Sequence, residues 1–124
     1  MNDNHFNFED LKVYQKSLDF SDLVYKTTLP YPQDERYNLV SQFRRAALSI
    51  SLNIAEGSGA SNRENIRYLG IASRTLKECV VCNTTSLRRN YINLAEHDTL
   101  RSELVEIHKM ISGLIRYLNS KKKD

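Results

Sequence analysis

The sequence predicts an all-α protein, an up-down-up-down antiparallel four-helix bundle forming a single domain over residues 1–124. Apolar residues recur at helical spacing through four long segments. Pro30, Pro32, Gly57 and Gly59 fall between those segments, where a chain must turn. With 40% hydrophobic and 27% charged residues, the composition suits a helical globular domain rather than a sandwich or a disordered tail. Short links make consecutive long helices neighbours and antiparallel.

The first helix is expected over residues 9–29, with Leu11, Tyr14, Leu18, Tyr25 and Leu29 as its core stripe. Pro30-Tyr31-Pro32 ends it. The second is expected over 34–56, opened by the acidic pair Asp34 and Glu35 and buried through Leu39, Phe43, Ala46, Ile50 and Ile54. Gly57 is the expected left-handed residue after its end. The third runs over 61–90 from a capping box, Ser61 to Glu64, with Leu69, Ala72, Leu76, Val80, Asn83 and Leu87 inward. The fourth covers 96–119, with Leu100, Leu104, Ile107, Ile111, Leu114, Ile115 and Leu118 inward, before a frayed tail Lys121-Lys122-Lys123.

No apolar run approaches a bilayer span, and the polar start MNDNHFNFEDLK lacks the basic and apolar regions of a secretory signal. A cytoplasmic protein without membrane contact is the expectation. Cys79 and Cys82 sit inside a helical segment with no strand nearby, and the three histidines show no ligand spacing to them. They read as structural thiols, and nothing calls for a metal or a cofactor. Charge is uneven around a net of +3. Residues 1–35 hold three Lys/Arg against seven Asp/Glu, and residues 36–95 hold nine against three. The basic middle suits an anionic partner or attraction between copies.

The second helix separates into three faces. Beside its core lies a polar row, Gln42, Ser49, Asn53 and Glu56. One carboxylate without a second acid or a base is thin material for chemistry, so the row reads as a structural hydrogen-bond network. Opposite the core lie Arg44, Leu48, Leu52 and Ala55, with Arg45 beside them. The first helix carries Val13, Phe20 and Val24 opposite its Leu11/Leu18 stripe. Two apolar stripes on one helix imply two buried contacts, so Val13, Phe20, Val24, Leu48, Leu52 and Ala55 are expected to form an oligomer interface.

Phe8-x-x-Leu11, then Pro32 and Glu35, then Gln42-x-Arg44-Arg45-Ala46-Ala47-x-Ser49-Ile50-x-x-Asn53-Ile54-Ala55-Glu56-Gly57 resembles the 23S rRNA intervening-sequence protein family of small bacterial four-helix bundles. Tyr68-Leu69-x-Ile71-Ala72-Ser73-x-x-Leu76-x-Glu78 and the pattern from Leu104 to Leu118 extend the likeness along the chain. Arg74 and Thr75 stand where the family often has a glycine. The resemblance implies a homopentamer. It also implies kinship with the accessory variability protein of diversity-generating retroelements, a basic pentamer that binds a reverse transcriptase and nucleic acid. The family name describes a genetic location, and most members have no established activity.

Arg63, Arg67, Arg74, Lys77 and Arg88 fall within roughly 80° on the third helix, away from its core, with Arg44, Arg45 and Arg89 adding charge. This is either a phosphate-tracking surface or a solvated face paired with acids of a neighbouring copy. Few aromatics interleave, which argues against sequence-specific readout. Arg101 and His108 lie two turns apart, as in the helical HEPN ribonucleases, although a boundary histidine has the same spacing. The expectation is a non-enzymatic homo-oligomer that binds structured RNA or DNA through its basic face. A protein-interaction scaffold engaging a protein partner, and a ribonuclease using Arg101 and His108, are the alternatives.

Overall fold

The computed structural model describes residues 4–121; Lys122 and Lys123 of the lysine tail lie outside them. Four helices follow in order: α1 (Lys12–Thr28), α2 (Leu39–Gly57), α3 (Asn62–Arg88) and α4 (Leu94–Ser120). Each packs on its chain neighbour and α1 closes against α4, giving the antiparallel bundle. Among the described residues no helix is long and apolar enough to cross a membrane.

The inner face of α1 is the reverse of the expected one. Val13, Phe20 and Val24 are buried in the chain's own core, Phe20 and Val24 completely, and so cannot belong to an outward oligomer stripe. Tyr25 and Leu29 are exposed, while Leu11, Tyr14 and Leu18 are half-buried at the boundary. The reversal is possible because the polar members of the inner face need no partner from elsewhere. Ser17 Oγ donates to Val13 O at 2.7 Å and Thr28 Oγ1 to Val24 O at 2.8 Å. Hydroxyls bonded to the preceding turn can be buried at little cost. Their small size also leaves room for Phe20 between the helices.

Two expected boundaries shift for a shared reason: a side chain takes over a backbone amide. Before α1, a 3-10 turn occupies Asn7–Asp10, with the Phe6 amide donating to Glu9 Oε1 at 2.8 Å. Before α2, Gln33–Glu35 form another, and the helix starts only at Leu39. At the far end of α3, Asn90 adopts a left-handed backbone (φ 62°) and Tyr91 N bonds Ser86 O at 3.0 Å. That geometry closes the helix. A capping box then opens α4 two residues early: Glu96 N donates to Asn93 Oδ1 at 2.7 Å, and Asn93 N to Glu96 Oε1 at 2.9 Å. Of the capping box expected on α3 the serine half forms, Glu64 N donating to Ser61 Oγ at 3.2 Å, while the Glu64 carboxylate accepts from Arg67 Nε instead.

The core runs the length of the bundle through Phe43, Ile50 and Ile54 of α2, Leu69, Ala72 and Leu76 of α3, and Leu100, Leu104, Ile107 and Ile111 of α4. Val80, Leu87, Leu114 and Ile115 are only half-buried at its margin. Cys79 and Cys82 are free and buried. Burial pushes the Cys82 thiol up to about 11 and the Cys79 thiol further. Asn83 joins α3 to α4 by donating from Nδ2 to His97 O at 3.0 Å.

Gly57 is the last residue of α2, and the left-handed turn belongs to Gly59 instead (φ 86°). Gly57 is there because α3 comes close. A Cβ on it would stand 2.8 Å from Tyr68 Cβ and 3.2 Å from Asn65 Cα. Alanine gains helix propensity at this site, about 1 kcal/mol. The contact with α3 backbone outweighs that gain, so Gly57→Ala should lose roughly 1–2 kcal/mol net. Thermal melting of the variant checks this, and an increased melting temperature would contradict it.

Candidate functional site

Cations recur along one exposed side of α3, with the exposed acids Glu64 and Glu78 beside them. Arg63, Arg67, Arg74, Lys77 and Arg88 are all exposed on it, spread over roughly 38 Å at the helical rise. Arg67 lies back along its own helix, with Nε donating to Glu64 Oε1 at 3.0 Å and its guanidinium 4.5 Å from the Tyr68 ring centroid. Exposed Val81 interrupts the basic row.

The remaining sequence-predicted cations divide. Arg45 lines the groove between α2 and α3 with Leu48, Leu52 and Glu78. Arg44 is a clamp between α2 and α1. Its Nε donates to Thr28 Oγ1 at 2.8 Å, its Nη2 to Tyr25 O at 3.2 Å, and its guanidinium stacks 3.9 Å from the Tyr25 ring centroid. Arg89 stays half-exposed but reaches the turn before α2, with Nη1 donating to Glu35 Oε2 at 2.8 Å. Arg44 and Arg89 thus tie helices and links together, and the exposed basic row is that of α3.

That face is wider than the sequence indicated. Arg101, His108 and Lys109 of α4 stand across a groove from Lys77 of α3. Leu76, Val80, Leu104 and Val105 make its apolar lining, and the cavity is about 260 Å³. Arg101 and His108 therefore share one groove, on its rim. Lys109 and Val105 were not singled out in the sequence. A single-helix projection cannot show which flank of α4 lies beside α3.

The polar row of α2 does not act as one network. Gln42 Nε2 donates to Glu78 Oε1 at 3.0 Å, linking α2 to α3. Asn53 Nδ2 donates to Ser49 O at 2.9 Å and Ser49 Oγ at 3.1 Å, within α2. Glu56 is exposed beyond them. Of the expected interface, Leu48 (45%) and Leu52 (59%) are exposed and Ala55 is half-buried.

Among the described residues the most connected carboxylate is Glu35, whose place in the sequence suggests an ordinary helix-opening acid. It is buried, and besides the Arg89 bond it accepts from Tyr91 Oη at 2.7 Å and Asn38 Nδ2 at 3.0 Å. The Leu39 amide adds a longer bond, at 3.4 Å. Tyr31 packs on Tyr91 beside it, with centroids 5.1 Å apart. The Tyr91 hydrogen bond, helped by the Leu39 amide and the Arg89 charge, outweighs burial and holds the carboxyl below its ordinary range.

Residues 9–113 match the family described as 23S rRNA-intervening sequence protein. The chain belongs to this family. A crystal structure of a protein of unknown function from the S23 ribosomal protein family of Bacteroides thetaiotaomicron is similar, with a TM-score of 0.74 at 25% identity. The likeness covers 83% of this chain and 97% of that one. No curated protein matches. Within the 23S rRNA-intervening sequence match, the segment from Arg44 to Gly57 that carried the resemblance does structural work in this bundle. Arg44 clamps α1, Ala46 and Ala47 are buried, and Gly57 admits α3.

A folded-state carboxyl held low contributes stability above its unfolded value and loses it as pH falls through the folded one. Glu35→Gln should therefore be less stable than wild type at neutral pH. The gap should close as the solution is acidified below the ordinary carboxylate range. Urea unfolding of both proteins across that range measures it, and a constant gap would contradict the assignment.

Proposed function

We propose that the protein is a non-enzymatic homo-oligomer that holds structured RNA or DNA on the basic face of α3, without reading sequence. The observation that carries this reading is the row Arg63, Arg67, Arg74, Lys77 and Arg88, exposed along one side of a single helix. A linear array of cations suits a phosphate backbone, where release of condensed counterions supplies affinity independent of base identity. The scarcity of aromatics on that face favours backbone contact over base stacking.

Assembly rests on α2. Leu48 and Leu52 point outward one turn apart, on a helix whose other side is already filled by the core. An exposed apolar pair of this kind is best accommodated by a second copy. The family resemblance suggests five copies, in which the α3 row would be repeated around a ring and reinforce binding through multiple contacts. A cytoplasmic location is consistent with this role.

Two experiments test the two halves. Changing Arg67, Arg74 and Arg88 together to glutamate should weaken binding to a structured RNA by more than about tenfold at low salt. It should also flatten the dependence of log K on log salt by roughly 0.9 per lost phosphate contact. Unchanged affinity would remove the nucleic-acid reading. Changing Leu48 and Leu52 to glutamate should reduce the sedimentation coefficient while leaving the helical circular-dichroism signal intact. A wild type that already sediments as a monomer at micromolar concentration would remove the oligomer.

A further inference from the structure

The groove between α3 and α4 differs from the face beside it. Its floor reaches the core at Leu76 and Leu104, its walls are Val80 and Val105, and its rim carries Lys77, Arg101 and Lys109 with His108. Among the described residues no carboxylate lines it. An apolar slot framed by cations on both sides asks for a ligand that is anionic at its ends and apolar in its middle. At about 260 Å³ the slot is smaller than the roughly 300 Å³ at which sites for drug-sized ligands begin. It therefore suits one small planar group rather than a large cofactor.

We propose that this groove takes a single unpaired nucleobase of a bound strand, with the flanking phosphates held by Lys77 on one side and by Arg101 and Lys109 on the other. The proposal rests on the nucleic-acid reading of α3 and narrows it to strands with an unpaired residue. A duplex presents only phosphates and groove edges, and its stacked bases would leave the Val80/Val105 slot empty. A bulged or looped base can leave its stack, and burying its faces against aliphatic walls replaces part of the stacking it gives up. The rim is continuous with α3 because Lys77 belongs to both, so a strand tracking the arginines passes over the slot. Arg101 and Lys109 stand roughly 12 Å apart along α4, enough to bracket one nucleotide. Recognition of this kind is by the presence of an unpaired base, and nothing in the aliphatic lining provides hydrogen bonds to tell one base from another.

The test compares two RNA hairpins closed by a polyether linker in place of loop nucleotides, with equal numbers of phosphates, one fully paired and one with a single bulged fluorescent adenine analogue, against the full-length protein. Val105 is 45% exposed, so Val105→Gln makes the wall polar with the fold intact, which circular dichroism verifies. The expected result is about tenfold tighter binding of the bulged hairpin, a change in the analogue's emission on binding, and loss of both in Val105→Gln. Affinity for the paired hairpin should be unchanged in the variant. Equal binding of the two hairpins by wild type would overturn the groove proposal while leaving the α3 reading in place. Binding of neither hairpin would remove both. A synthetic acidic amphipathic peptide bound by wild type but not by Val105→Gln, with the hairpins equal, would assign the groove to a protein partner and overturn the proposal.

Discussion

A buried carboxylate holds the two turns at one end of this bundle together. Glu35 sits in the turn between α1 and α2, and Arg89 and Tyr91 sit in the link between α3 and α4. Separating the links would strip a buried carboxylate of the Arg89 cation and its shortest hydrogen bond, which is unfavourable, so keeping Glu35 inside favours contact between them. The same carboxylate accepts from Asn38 and the Leu39 amide, which sets where α2 begins. At the opposite end, Gly57 lets α2 approach α3 more closely than any side chain would allow. Pinned at one end by an ion pair and at the other by a steric gap, α3 has little freedom to rotate. Its basic row therefore keeps a fixed heading relative to the rest of the molecule.

Much of this architecture was legible from residue spacing, and the exceptions have physical causes. The cores of α2, α3 and α4 follow the helical period because their inward residues are mostly the large aliphatic ones. α1 does not, because two of its inward positions are Ser17 and Thr28 and several outward ones are Leu or Tyr. A hydropathy pattern treats a hydroxyl as polar and cannot see that it is satisfied by its own preceding turn. The early start of α4 is signalled by Asn93-x-x-Glu96, whereas the inward aliphatic period of that helix begins only at Leu100. The role of Glu35 had no local signal at all, since Arg89 and Tyr91 lie 54 and 56 residues away. For the candidate site, the arginines of α3 were readable on a single wheel. The contribution of α4 was not, because it depends on which flank of one helix lies beside another.

The segment most specific to the family, Arg44 to Gly57, is occupied with holding helices together. Arg44 satisfies α1 near its C-terminal end, Ala46 and Ala47 permit close packing, and Gly57 admits α3. A motif of this kind identifies the scaffold rather than its use. The surfaces with capacity to meet a partner are elsewhere, on the outer side of α3, in the α3–α4 groove and at Leu48 and Leu52.

Cys79 and Cys82 face the interior of the same helix that bears the basic row, with their thiols held protonated by burial. A protonated, enclosed sulfur is a poor nucleophile, so alkylating reagents and mild oxidants act on it only when α3 swings away from its neighbours. The pair thus forms a native stopwatch: the pace of thiol modification reports how often the bundle breathes, with no foreign label introduced.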